Sequence, residues 1–279
     1  MIKLFASDLD GTLLIGHVVD EIVLNAIRKI RDSGREFAVV TGREMYPHQR
    51  REMGLEPLGI YTICMNGARI LSPGGEELYR QAIDKDFLRE TLCRFPTLMP
   101  ECLATDRIYI RQSKEAFIDF AKCDPTRNIQ RFLDSFLKKA EFSVPVEQIL
   151  QADVVKLNLR IADPSQIASF RDFLSANRES VVSRPFREDL PGLFEITDRR
   201  AGKAQAVAWL LAHLGMTAEQ AAVYGDGPND REMLLRFPHS FAPQNASPSA
   251  KNAASAVIGD CADHAVPEHM CRLLADPAE

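Results

Sequence analysis

Three short apolar runs in the first 67 residues each stop at polar residues or a glycine. LFAS runs into Asp8 and Asp10, EFAVV into Thr41-Gly42-Arg43, and YTICM into Asn66-Gly67. Between the first two runs the pattern changes to helical period, with Ile22, Val23, Ala26, Ile27 and Ile30 on one face. Asp20 is placed to cap that helix and Gly34 to end it. A polar helix-like stretch reaches Gly54 before the third run. Apolar strands alternating with amphipathic helices specify a parallel sheet with crossover helices. The rhythm returns near the C-terminus. A helix is expected over 203–214, closed by Gly215, and Thr217 with Gln220 has capping-box spacing. AAVYG, HSFA and SAVI read as strands, 230–236 as a helix, and Pro248 and Pro267 as helix starts.

The middle of the chain has another period. DVVKLNLRI (153–161) alternates strictly, Val155, Leu157, Leu159 and Ile161 against Lys156, Asn158 and Arg160. That is a strand with one wet face, as in an antiparallel sheet covered on one side. RIYIRQ alternates likewise. Helical stretches are expected at about 84–95, 114–122, 127–139 and 165–175. An α+β module, 83–197, is thus inserted between the halves of an α/β domain, 1–82 and 198–279.

Composition narrows the class. A net charge of -5, with 34 basic and 39 acidic residues and no block of either sign, argues against a nucleic-acid or membrane partner. The six cysteines (64, 93, 102, 123, 261 and 271) show no C-x-x-C spacing and read as small buried hydrophobes in a reducing compartment. No signal peptide or membrane-length apolar stretch is visible, so a cytoplasmic protein is expected.

In open parallel sheets, ligands bind beyond the carboxyl ends of the strands. The polar residues expected there are Asp8, Asp10, Thr41, Gly42, Asn66, Asp226, Asn229 and Asp230, with Lys203 opening a helix in AGKAQAVAWL. Each short motif alone is a common loop signal. Asp8-x-Asp10 is not an EF-hand, because Leu13 stands where that loop needs glycine. Gly202-Lys203 is not a P-loop, because Thr197 and Ala204 replace its glycine and hydroxyl residue. No G-x-G-x-x-G follows the first strand. Together the residues are coherent. Several carboxylates at one edge call for a hard divalent cation. A lysine, a threonine hydroxyl and amides from tight glycine turns suit a phosphate. A carboxylate within reach of a phosphoryl group can attack it, and a second one can move the proton.

DLDGTL, VVTGR, a lysine before a helix and GDGPND, in this order, resemble the haloacid dehalogenase (HAD) superfamily of phosphatases. NGA after the third strand and FAPQNAS after the fourth motif resemble its Cof-like branch, which carries a type IIB cap. The resemblance covers about 1–82 and 198–279. It implies a Rossmann-like parallel core, 1–82 plus 198–279, and a C2-type cap, 83–197, that selects the substrate.

The resemblance also assigns roles. Asp8 is the nucleophile and a Mg2+ ligand. Asp10 is the acid and then the base, and its backbone carbonyl binds the ion. Thr41 and Gly42 hold the phosphoryl group, and Lys203 neutralises nucleophile and phosphate. Asp226 binds Mg2+, and Asp230 with Asn229 completes the metal shell or the phosphate site. Two departures stand out: the glycine precedes the lysine at Gly202-Lys203-Ala204, and Pro243-Gln244-Asn245-Ala246 replaces the family's usual Met-Gly-Asn-Ala. The expected activity is Mg2+-dependent hydrolysis of a small phosphorylated metabolite, a sugar phosphate by family analogy, by a monomer or small homo-oligomer. The alternatives are a phosphomutase, for which Arg160, Arg184 and Arg187 are candidate donors to a second phosphate, and a non-catalytic phospho-metabolite sensor.

Overall fold

The computed structural model describes residues 1–14, 19–122, 133–134, 136–184 and 192–275, Arg184 by its backbone alone. The chain divides into two compact units, Met1–Arg80 with Arg200–Glu279, and Gln81–Arg199. In chain order the strands are β1 (Leu4–Ser7), β2 (Glu36–Val40), β3 (Tyr61–Cys64), β4 (Arg69–Leu71) and β5 (Glu77–Arg80). The inserted unit carries β6 (Glu101–Leu103), β7 (Ile108–Tyr109), β8 (Ala140–Glu141), β9 (Lys156–Arg160), β10 (Val181–Arg184) and β11 (Leu193–Asp198). The chain then returns with β12 (Ala221–Tyr224), β13 (His239–Ala242) and β14 (Ala256–Val257).

The first unit is built on an eight-stranded sheet ordered β14-β13-β12-β1-β2-β3-β4-β5. β14 through β3 run parallel, and β4 and β5 extend that edge as antiparallel strands. β1 is buried from end to end, as a central parallel strand must be. On one face its Leu4 and Ala6 join Ala38, Val40, Ile63 and Val223. This apolar layer clusters with Val207, Leu210 and Leu211 of the helix Lys203–His213. From β1 the chain crosses to β2 on one side, whereas β12 and β13 build the sheet on the other. The carboxyl end of β1 therefore lies at a topological switch point, where an open sheet leaves a crevice.

The helix Glu21–Asp32 starts as expected: the Asp20 carboxylate accepts from the Val23 amide at 3.0 Å. Its buried face is Val23, Leu24, Ala26, Ile27 and Ile30, and Ile22 is 51% exposed. Leu24 replaces Ile22 because it faces the Gly54 turn, its Cδ1 only 3.5 Å from where a Cβ on Gly54 would stand. Among the described cysteines, Cys64, Cys102 and Cys261 are buried, but Cys93 is exposed, and none is in a disulfide; Cys123 lies outside the described residues. Among the described residues no helix is long and apolar enough to cross a membrane.

The inserted unit is a six-stranded sheet ordered β10-β11-β9-β6-β7-β8, antiparallel except for the β7–β8 pair. Its apolar face carries Leu157, Leu159, Phe194 and Ile196, which cluster with Phe170 and Phe173 of the helix Pro164–Ala176. The wet face expected of β9 is not wet at Lys156, which is buried and ion-paired with Glu195 of β11 at 2.6 Å. Beside it the Asn158 amide donates to Glu101 of β6 at 3.1 Å. Cross-strand carboxylates, invisible to a periodicity argument, meet the Lys156 ammonium and the Asn158 amide N–H. RIYIRQ forms only the two-residue β7. Most of 127–139, all of Arg187 and the side chain of Arg184 lie outside the described residues.

Candidate active site

The strand ends deliver the acidic residues to one place. Asp8 follows β1, its amide donating to the Tyr224 carbonyl of β12 at 3.0 Å, and its side chain is buried. Lys203 opens its helix and is 1% exposed; its ammonium donates to Asp8 Oδ1 and to Asp230 Oδ1, each at 2.6 Å. Asp230 is further fixed by the Asp226 and Gly227 amides, which donate to its Oδ2 at 3.2 and 2.9 Å. Asp226 accepts from the Thr12 hydroxyl at 2.8 Å. Oxygens of Asp8, Asp226 and Asp230 all lie within 4.8 Å of one another.

Two glycines make this approach feasible. Gly11 has φ +82°, and a Cβ there would stand 2.4 Å from Asp226 Oδ2. Gly67 has φ +90°, and a Cβ there would stand 2.2 Å from the carbonyl oxygen of Gly202, just before Lys203. The expected turn at Asn66-Gly67 is thus what brings the lysine helix against the end of β3.

The charges are unbalanced. Burial drives the Asp8 carboxyl well above the ordinary range; Lys203 opposes this, while Asp230 and Asp226 add to it. Burial and then Asp230 push Asp226 up to about 6, against Thr12 and Lys203. Burial works against the Lys203 ammonium, yet Asp230 and Asp8 hold its pKa above the usual lysine range. Three carboxylates bonded to or grouped around one ammonium leave negative charge uncompensated. All the donors are hard oxygens, which fits a cation such as Mg2+.

The remaining expected residues arrange themselves around this cluster. Thr41 is buried at the end of β2, and its Oγ1 accepts from the Arg43 amide at 3.2 Å. Gly42 lets the Asn66 side chain come close, since a Cβ there would stand 2.9 Å from Asn66 Oδ1 and push it aside. That same oxygen accepts from Asn229 at 3.3 Å. The Asp10 carboxylate lies apart from the three grouped carboxylates, engaged by Arg43: Nε donates to Oδ2 at 2.7 Å and Nη2 to Oδ1. Asn245 clasps the loop after β1, donating to the Gly11 carbonyl at 2.8 Å and accepting from the Cys261 amide at 3.0 Å.

Thr12 and Arg43 are not among the residues that the sequence points to at the strand ends. Thr12 and Arg43 stand inside the very motifs that were singled out. The signal for Arg43 was the excess of carboxylates, which needs a second cation.

A family model described as haloacid dehalogenase-like hydrolase matches residues 5–270. The chain belongs to this family. HAD relatives of full length include phosphatase YwpJ of Bacillus subtilis (strain 168), 29% identical over 299 residues, covering 98% of this chain and 100% of the relative. The HMP-PP phosphatase of Klebsiella pneumoniae (strain 342) is 27% identical over 290 residues, covering 99% and 97%. Among solved structures, a haloacid dehalogenase-like hydrolase from B. subtilis superposes with a TM-score of 0.80 at 24% identity, covering 98% of this chain and 100% of the other. A HAD subclass IIB sugar phosphatase superposes at 0.76 with 20% identity, covering 98% and 100%. These structures share the HAD fold, a parallel-sheet core with an inserted α+β unit.

Proposed function

We propose that this HAD hydrolase is a Mg2+-dependent phosphomonoesterase that cleaves a small sugar phosphate through an aspartyl-phosphate on Asp8. The observation that carries the reading is Asp8 itself: a buried carboxylate at the end of a rigid central strand, bonded to the Lys203 ammonium and grouped with Asp226 and Asp230. The substrate class rests on the sugar phosphatase that shares the fold and on the phosphatases among the relatives. The inserted unit, on this reading, selects the substrate.

Asp8, Asp226, Asp230 and the backbone carbonyl of Asp10 would hold Mg2+, which when bound supplies positive charge to the phosphoryl oxygens. Lys203 balances the nucleophile. Thr41 and the Gly42 amide hold the phosphoryl group, with Asn229 beside them. Asp8 forms a bond to phosphorus as the ester P–O bond breaks, and the departing oxygen takes a proton from Asp10. Water then attacks phosphorus, Asp10 takes its proton, and Asp8 leaves as carboxylate.

The test is phosphate release from an ester panel with and without chelator. Activity is expected to vanish in EDTA and return with Mg2+; full turnover in chelator would remove the metal from the reading. Quantitative isomer formation without free phosphate would make the enzyme a mutase.

The proton balance of the site gives a second check. The Asp226 carboxyl rises from 3.8 to about 6 in the folded, metal-free protein. Between those values the folded state holds a proton that the unfolded chain has released. The site's contribution to stability therefore falls as pH rises through that window. A bound cation needs the carboxylates ionised, so Mg2+ is expected to raise Tm more at pH 7.5 than at pH 5. Equal shifts at both pH values would show that the ion does not compete with this proton.

A further inference from the structure

Arg43 is the charged residue of the site that the proposed chemistry leaves unused. Its guanidinium meets Asp10 as a fork, Nε on Oδ2 and Nη2 on Oδ1. Two parallel N–H bonds fix both the position and the plane of a carboxylate. The backbone of Asp10 is held by its bridge to Leu14, but among the described residues no other side chain hydrogen-bonds its carboxylate, which is 39% exposed. The arginine is anchored at its backbone. Its amide donates to Thr41 Oγ1 at 3.2 Å, and its carbonyl accepts from the Met65 amide at 2.9 Å, which ties it to the ends of β2 and β3. Its side chain is 28% exposed, and the Met53 sulfur lies 4.0 Å from Nη1.

We propose that Arg43 is a positioning residue for proton transfer: its fork holds the Asp10 carboxyl at the angle from which it serves the departing oxygen and then the attacking water. The inference rests on the phosphomonoesterase reading above. A carboxylate offers about four lone-pair sites, and the fork takes one on each oxygen, which leaves one on each for the travelling proton. In the first step the ester P–O electron pair moves onto the departing oxygen as that oxygen takes the proton from Asp10. In the second, Asp10 accepts a proton from water as the water oxygen bonds to phosphorus and the pair of the Asp8–P bond returns to Asp8. Arg43 keeps its own protons throughout. A lysine at this position would retain the charge and lose the planar fork.

The requirement for a positioned acid depends on the leaving group. A nitrophenolate departs without a proton, and a benzyl alkoxide does not. The experiment compares kcat/KM, which reports phosphorylation of the enzyme, for p-nitrophenyl phosphate and benzyl phosphate in wild type, Arg43→Met and Arg43→Lys. In Arg43→Met the benzyl ester is expected to lose about 100-fold or more, in the range of general acid catalysis, and the nitrophenyl ester less than about 10-fold. Arg43→Lys should fall between, with most of its loss on the benzyl ester. Equal losses on the two esters, or none, would overturn the inference. A rise in KM alone for both would make Arg43 a substrate contact instead. Should Arg43→Met not fold, Arg43→Lys supplies the same ratio. A wild type that cleaves neither ester would count against the phosphomonoesterase reading, and that result is seen before any variant is compared.

Discussion

Asp8→Asn is expected to lose at least about 10^4-fold in turnover of an aryl phosphate, with little loss of Tm. The asparagine keeps the shape of the side chain, so β1 and its packing are undisturbed. What disappears is the oxygen nucleophile and one of three negative charges. Burial already disfavours the ionised Asp8, and Asp230 and Asp226 disfavour it further. Removing that charge therefore relieves repulsion even as Lys203 loses one of its two carboxylate partners. Loss of activity without loss of fold is the signature of a residue that reacts rather than supports. A single-turnover experiment makes the point directly. Wild type quenched in acid should retain labelled phosphate on the protein, and Asp8→Asn should retain none. Activity of the variant above about a tenth of wild type would place the nucleophile elsewhere.

The parts of the fold that rest on period and caps were legible in the sequence. The apolar stretch of β1, the Asp20 cap and the Gly215 stop depend on neighbours close in sequence, which a pattern reads directly. The convergence of Asp8, Lys203, Asp226 and Asp230 depends on strand order, and it was reached because parallel strands must present their carboxyl ends on one edge. Three things were not legible. Lys156 looked solvated because its partner, Glu195, is 39 residues away on another strand. Ile22 and Leu24 compete for one helix face, and the turn at Gly54 decides between them. Asn245 stands in the stretch that departs from the family pattern, which assigns it no partner; its bonds go to the Gly11 carbonyl and the Cys261 amide, so it braces the loop that follows the nucleophile.

Lys203→Met should affect the fold as well as the reaction, and this separates it from Asp8→Asn. The ammonium is 1% exposed and bonds Asp8 and Asp230 at once. Without it, two buried carboxylates lose their bonded cation, with Asp226 still beside them. Leaving such charges unpaired costs about 3–5 kcal/mol. For a protein of this size that corresponds to a fall in Tm of roughly 5–9 °C in chelator at pH 7.5. The sign of the pH dependence follows from the carboxylates. They can escape repulsion by binding protons, so the deficit against wild type should shrink at pH 5. Mg2+ at pH 7.5 should also restore part of the lost Tm, because it replaces the missing positive charge, but not the activity, since the lysine no longer balances the nucleophile. Equal Tm for variant and wild type in chelator at pH 7.5 would mean that Lys203 does not hold the acidic cluster together. A deficit independent of pH would mean that it does so by packing rather than by charge.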